Sequence, residues 1–178
     1  MSHEEQSRKP TRSRSDVGGL VTALRFYFPH ENVSATARLL DRDAPHTCDV
    51  IVATLPHRGE AFHGEYSGEE VFTLLPGRVH APAENSTTKV NERDIGFLRF
   101  RGGTDVVEGD EVVSEIAWFY GNDAVPSMKD GPIELNIFAR FEREGWEAFA
   151  AVCRKLKPEQ AHPIIIEAIE ETEEIEEA

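Results

Sequence analysis

The chain has 178 residues, 39% of them apolar and 29% charged, with a net charge of −14. That length favours one domain with a real core. No stretch approaches the ~20 apolar residues of a membrane span. The acidic balance argues against nucleic acid and against an anionic membrane surface, both of which need clustered Lys and Arg.

Charge is unevenly spread. Residues 1–18 mix Arg8, Lys9, Arg12 and Arg14 with serines, and read as a disordered leader rather than a nucleic-acid arm. Met1 to Asp16 lacks the apolar core of a signal peptide, so a cytoplasmic location is expected. Residues 169–178 read as a solubilising acidic tail. Cys48 and Cys153 each fall on an apolar helical stripe and read as buried thiols in a reducing compartment, not as a disulfide.

In chain order, Leu20 to Phe28 is β-rich, and Pro29-His30-Glu31-Asn32 is a turn. Val33 to Leu39 alternates Val33, Ala35, Ala37 and Leu39 against Ser34, Thr36 and Arg38, which predicts a first hairpin. A short helix follows, with Asp43 as N-cap, Pro45 in its first turn and an apolar stripe of Cys48, Ile51, Val52 and Leu55, before Pro56 stops it. Glu60 to Tyr66 and Glu69 to Leu75 are predicted strands around a Ser67-Gly68 break. Residues 76–92 read as a long surface loop, the kind of segment that carries function.

Ile95 to Phe100 is a strand, and Arg101 to Asp110 a Gly-rich acidic loop. Val112 to Tyr120 is the most apolar strand. Glu134 to Phe141 is a strand with Leu135, Ile137, Ala139 and Phe141 on one face, and Asn136, Phe138 and Arg140 on the other. Glu144 to Leu156 is a second helix with Trp146, Phe149, Cys153 and Leu156 as its buried stripe. Pro163 to Ile166 is a last short strand, with a helical continuation over 164–175 as the alternative. The order ββαββ-loop-ββ-β-α-β does not alternate, which excludes a doubly wound parallel sheet. It fits a mainly β fold: a closed, mostly antiparallel barrel of about eight strands, over residues 19–168, with two flanking helices.

The strand-to-helix passage Leu40-Asp41, Ala44-Pro45 and Thr47 resembles that of cyclophilins, and Phe62-His63 falls where cyclophilins carry Phe-His-Arg. A closer resemblance, from Leu20 to Glu167, is to the bacterial and archaeal cyclophilin-like domain-of-unknown-function family 3830. It rests on Ala44-Pro45-x-Thr47-Cys48, on His63 with Ser67-Gly68-Glu69, and on Glu84-Asn85, Tyr120-Gly121 and Asn136-x-Phe138-Ala139. Where that family has Trp before Ser-Gly-Glu, this chain has Tyr66.

The resemblance implies a cyclophilin-like barrel and, by fold alone, makes prolyl isomerisation the first activity to weigh. Cyclophilins polarise the prolyl amide with an arginine. Gly64 stands at that position and offers no charge, so the reading is against an isomerase. The leading expectation is a pocket for a small polar ligand. His63 is the candidate acid or base, and Tyr66, Glu69, Glu84, Asn85, Tyr120 and Asn136 are candidate ligand-binding groups. For each of these a purely structural role is the competing reading. An amide- or urea-metabolising enzyme using His63 is the second possibility, because cyclophilin-like domains also resemble parts of allophanate hydrolase. His57, His63 and His80 lack metal-ligand spacing, so no metal and no cofactor is expected. A homo-oligomer is compatible with the chain.

Overall fold

Alternation of apolar residues builds most of the molecule. The computed structural model describes residues 20–75, 79–101 and 111–171. The leader, the start of the 76–92 loop, most of the Gly-rich loop and the end of the glutamate tail lie outside the described residues.

The elements, in order, are β1 (Leu20–Phe28), β2 (Val33–Leu39), α1 (Pro45–Ala53), β3 (His57–His63), β4 (Glu70–Leu75), β5 (Ser86–Thr87), β6 (Asp94–Arg101), β7 (Val112–Phe119), β8 (Ser127–Met128), β9 (Gly131–Pro132), β10 (Leu135–Phe141), α2 (Trp146–Lys155) and β11 (His162–Glu171). Eight strands run β2-β1-β11-β3-β4-β7-β6-β10, and a β2–β10 pairing closes the ring. Every pair in it is antiparallel. The fold is therefore a closed antiparallel barrel with two helices. Closure removes the exposed edges that a strand-rich chain of this size would otherwise present.

Because β2 and β10 are antiparallel neighbours, the helices that follow their C-terminal ends sit at opposite mouths of the barrel. α1 inserts Cys48 and Ile51 at one mouth. α2 inserts Trp146, Phe149 and Cys153 at the other, where the Trp118 Nε1–H donates to Cys153 Sγ at 3.4 Å. Rings fill the interior: Phe26 lies 4.9 Å from Phe141 and 5.5 Å from Trp118, and Phe28 lies 4.9 Å from Phe149. Cys48 and Cys153 are free, and burial pushes both thiols up to about 12.

Four local expectations are corrected. Asp43 does not cap α1: Ala44 holds the N-cap position without a side-chain hydrogen bond, and the acceptor comes from elsewhere, as described below. The third strand is His57–His63, not Glu60 to Tyr66. Its inward positions are set by pairing with β11, a long-range partner that local patterning does not reveal. The last strand is longer than Pro163 to Ile166, reaching Glu171, because β1 pairs with it along its length. The helical alternative there does not occur over those residues.

The fourth correction concerns β10. A bulge between Ile137 and Ala139 splits its apolar set. Leu135 and Ile137 join an apolar cluster on the outer wall with Phe72, Ala117 and Phe119, whereas Phe138, Ala139 and Phe141 join the interior.

Candidate functional site

His63 ends β3, and Tyr120 follows β7, two strands away across β4. Their side chains meet at 2.6 Å between Nε2 and the hydroxyl, while His63 Nδ1 lies 2.8 Å from the Gly64 carbonyl. A carbonyl can only accept, so the neutral ring carries its hydrogen on Nδ1, and the Tyr120 hydroxyl donates to Nε2. Both ring nitrogens are engaged within the protein. Burial, then the charge of Glu69, pushes the Tyr120 phenol up.

Glu69 serves a turn: Oε2 accepts the Asp123 N–H at 3.2 Å, and its carboxylate fills the space that a Cβ on Gly121 would need. That close approach explains the Tyr120-Gly121 pair.

Glu84, Asn85 and Asn136 form a separate cluster. The β10 bulge turns Asn136 toward α1, where its amide N–H donates to Thr47 Oγ1 at 3.1 Å and to the Pro82 carbonyl at 2.8 Å. Its Oδ1 accepts the Glu84 N–H at 3.2 Å. Asn85, at φ 45°, donates its side-chain N–H to the Ile137 carbonyl at 2.8 Å. Glu84 Oε1 accepts the Thr47 N–H at 2.5 Å and the Thr47 hydroxyl at 2.8 Å, and Oε2 lies 3.1 Å from His46 Nδ1.

A loop carboxylate thus caps α1 from 37 residues away. Burial pushes the Glu84 carboxyl up, but the Thr47 and His46 hydrogen bonds outweigh it and hold the group below its ordinary range. Glu84→Ala should therefore cost about 1–2 kcal/mol, the usual worth of a lost N-cap, read as a lower urea midpoint. Because the carboxyl is depressed in the folded state, this contribution is present above its unfolded value of 4.5 and fades as pH falls through its lower folded value.

The register separates these two groups. Asn136 lies opposite Phe97, and Phe97 opposite Ile116, four positions short of Tyr120 on β7. At ~3.3 Å per residue they are about 13 Å apart along the strands, and two strands apart across them.

Asn136 lines an open groove with His80, Phe97 and Leu98, and a second cavity lies on the outer wall, lined by His63, Gly64, Tyr66, Glu70, Phe72, Phe100, Glu115, Ser127, Met128 and Ile133, among others. β4 and β7 place Glu70 opposite Phe119, Phe72 opposite Ala117, and Leu74 opposite Glu115, all on the outward face. The β8–β9 hairpin covers that face. Its Ser127 N–H donates to Ser67 Oγ at 2.9 Å, and the Val125 N–H donates to the Ser67 carbonyl at 2.9 Å.

Glu70 and Glu115 are 7% and 6% exposed. Burial pushes the Glu70 carboxyl up to about 7, partly offset by the Ser67 hydroxyl. Burial, then the charge of Glu70, raises Glu115 well above its ordinary value. Gly64 faces Glu70: a Cβ there would lie 2.6 Å from Glu70 Oε1.

Of the candidate residues, His63 and Tyr66 line the cavity, with Tyr66 44% exposed at its rim. Glu70 and Glu115 were not among them. The available signal was an acidic residue inside the most apolar strand, where alternation with Ala117 and Phe119 leaves Glu115 facing a wall instead of water. Among the described residues no three of His, Cys, Asp and Glu converge as metal ligands, and no helix is long and apolar enough to cross a membrane.

Two solved structures are similar in fold. McbB in complex with tryptophan matches with a TM-score of 0.58 and 12% identity, over 84% of this chain and 45% of its own. The chain thus spans less than half of McbB. The hypothetical protein AF2241 from Archaeoglobus fulgidus matches with a TM-score of 0.54 and 19% identity, over 87% of this chain and 100% of its own. No curated protein matches this chain in sequence. A family profile covers residues 27–166, and with it both helices, the strands from β2 to β10 and every residue of the cavity named above, leaving out most of β1 and the end of β11: the chain belongs to the family described as protein of unknown function DUF3830.

Proposed function

We propose that this barrel binds a small molecule in the outer-wall cavity beside His63, Glu70 and Glu115, and that it is not a prolyl isomerase. The observation that carries the reading is the cavity's chemistry: an apolar lining of Phe72, Phe100, Met128 and Ile133 with a few convergent polar groups. That is the usual make-up of a ligand site. An isomerase of the cyclophilin kind needs a guanidinium at the amide. Here the space beside Gly64 holds the Glu70 carboxyl, and no arginine lines the cavity among the described residues.

Catalysis with His63 as the direct base is the weaker reading, because Tyr120 already occupies its lone pair. Two free, buried thiols favour a reducing compartment such as the cytoplasm.

A thermal-shift panel of small amines, amides, ureas and carboxylates tests the proposal, since a ligand specific for the folded state raises its melting point. At least one class should stabilise the protein, and Ile133→Trp, which fills the cavity, should abolish that shift. A shift unchanged in the filled variant would place binding elsewhere and overturn the reading.

A further inference from the structure

The Glu115 carboxyl is 6% exposed and lines the cavity. No described residue donates a hydrogen bond to it, and its one neighbouring charge is Glu70, of the same sign. No fully enclosed side-chain oxygen or nitrogen among the described residues lacks a partner, so the Glu115 oxygens open onto the cavity. A buried carboxyl without a donor is costly unless something supplies one.

The titratable groups around it are Glu70 from β4, His63 from the end of β3, and Glu65 and Tyr66 from the β3–β4 connection. The lining parts of β6 and the covering hairpin add Phe100, Ser127 and Met128, none of them charged. No lysine or arginine lines the cavity among the described residues, so none of these supplies the missing partner, and a cation from outside them would.

We propose that the cavity takes the cationic nitrogen of a small organic amine or amidine with an apolar body, and that Glu115 is the carboxylate that receives it. This rests on the reading of the cavity as a ligand site. The fit has two parts. The cation supplies the donors that Glu115 lacks, as a charge-assisted hydrogen bond. Phe72, Phe100, Met128 and Ile133 bury the body. At neutral pH the bound ammonium stays charged while a carboxylic acid of the pair gives its proton to the buffer.

Titration calorimetry on the full chain, with benzylamine and benzamidine against benzyl alcohol and benzoate, tests it. The two cations should bind at least about tenfold more tightly than the neutral and anionic probes, the worth of one hydrogen bond to a charged group. Binding heats in buffers of different ionisation enthalpy should reveal proton release on the wild-type protein, and affinity should rise between pH 6 and 8. Glu115→Gln should lose about ten- to a hundredfold in cation affinity while its thermal melt shows a folded protein.

Equal or tighter binding of benzyl alcohol or benzoate, abolished by Ile133→Trp, would overturn the cation and leave the cavity as a ligand site. So would cation binding without proton release or without loss in Glu115→Gln. Failure of every probe, charged or neutral, would count against both readings.

Discussion

Glu70→Gln should raise the melting temperature at pH 8 and leave it nearly unchanged at pH 4. The Glu70 carboxyl is raised from 4.5 to about 7 in the folded protein. Between those values the folded state keeps a proton that the unfolded chain releases. Stability from this group is therefore complete below about 4.5 and is lost as pH rises toward 7, after which the cost is constant. The displacement corresponds to about 3 kcal/mol. The amide keeps the shape of the neutral acid and never ionises, so at pH 8 the variant should regain much of that amount, roughly 5–10 °C in a domain of this size. Removing the Glu70 charge also removes one cause of the raised Glu115 carboxyl. Thermal melts of wild type and variant across pH 4–9 would decide. A difference that does not vary with pH would mean that Glu70 does not titrate in its buried setting.

Phe149→Ala should be the most damaging single truncation at the α2 mouth. The ring contacts Phe26, Phe28, Trp118, Phe141 and Trp146, with centroids 4.9–6.5 Å away. It is fully buried and belongs to a helix rather than to the sheet it packs on. Its loss leaves a cavity among rings that strand pairing holds apart, so little collapse can fill it. A cost of about 3–5 kcal/mol is expected for such a site, or roughly 6–20 °C, with loss of near-ultraviolet ellipticity from Trp118 and Trp146. The outer-wall cavity does not include this ring. Ligand-induced stabilisation should therefore survive in the folded fraction, which separates damage to the core from damage to the site.

Much of the architecture was legible because its cause is local. Two hairpin strands, two helical stripes and one very apolar strand follow from residues that are neighbours in the chain. Their failure to alternate strand and helix already pointed to a barrel. Gly64 was legible for the same reason, as a single residue within a motif. What stayed hidden depends on partners far away. Asp43 was a sound N-cap by local rules, but Glu84 takes over the task from another loop. The β10 bulge is invisible in an alternating sequence, and so is the hydrogen bond from Asn136 to Thr47 of α1.

The candidate site divides on the same line. His63, Tyr66, Glu69, Glu84, Asn85, Tyr120 and Asn136 were all recognisable as polar groups at element ends. The barrel distributes them over the outer-wall cavity and its rim, a turn, a helix cap and, for Asn136, a second groove as well. The sequence by itself determined where most strands and both helices lie and where apolar residues recur along them, since periodicity is a property of adjacent positions, whereas the bounds of β3 and β11 and the split face of β10 follow from long-range pairing. Only the tertiary structure decided that Glu70 and Glu115 are buried together. Their burial needs β4, β7 and the β8–β9 hairpin assembled at once, and a carboxyl's charge state depends on that shared loss of water rather than on its neighbours in the chain.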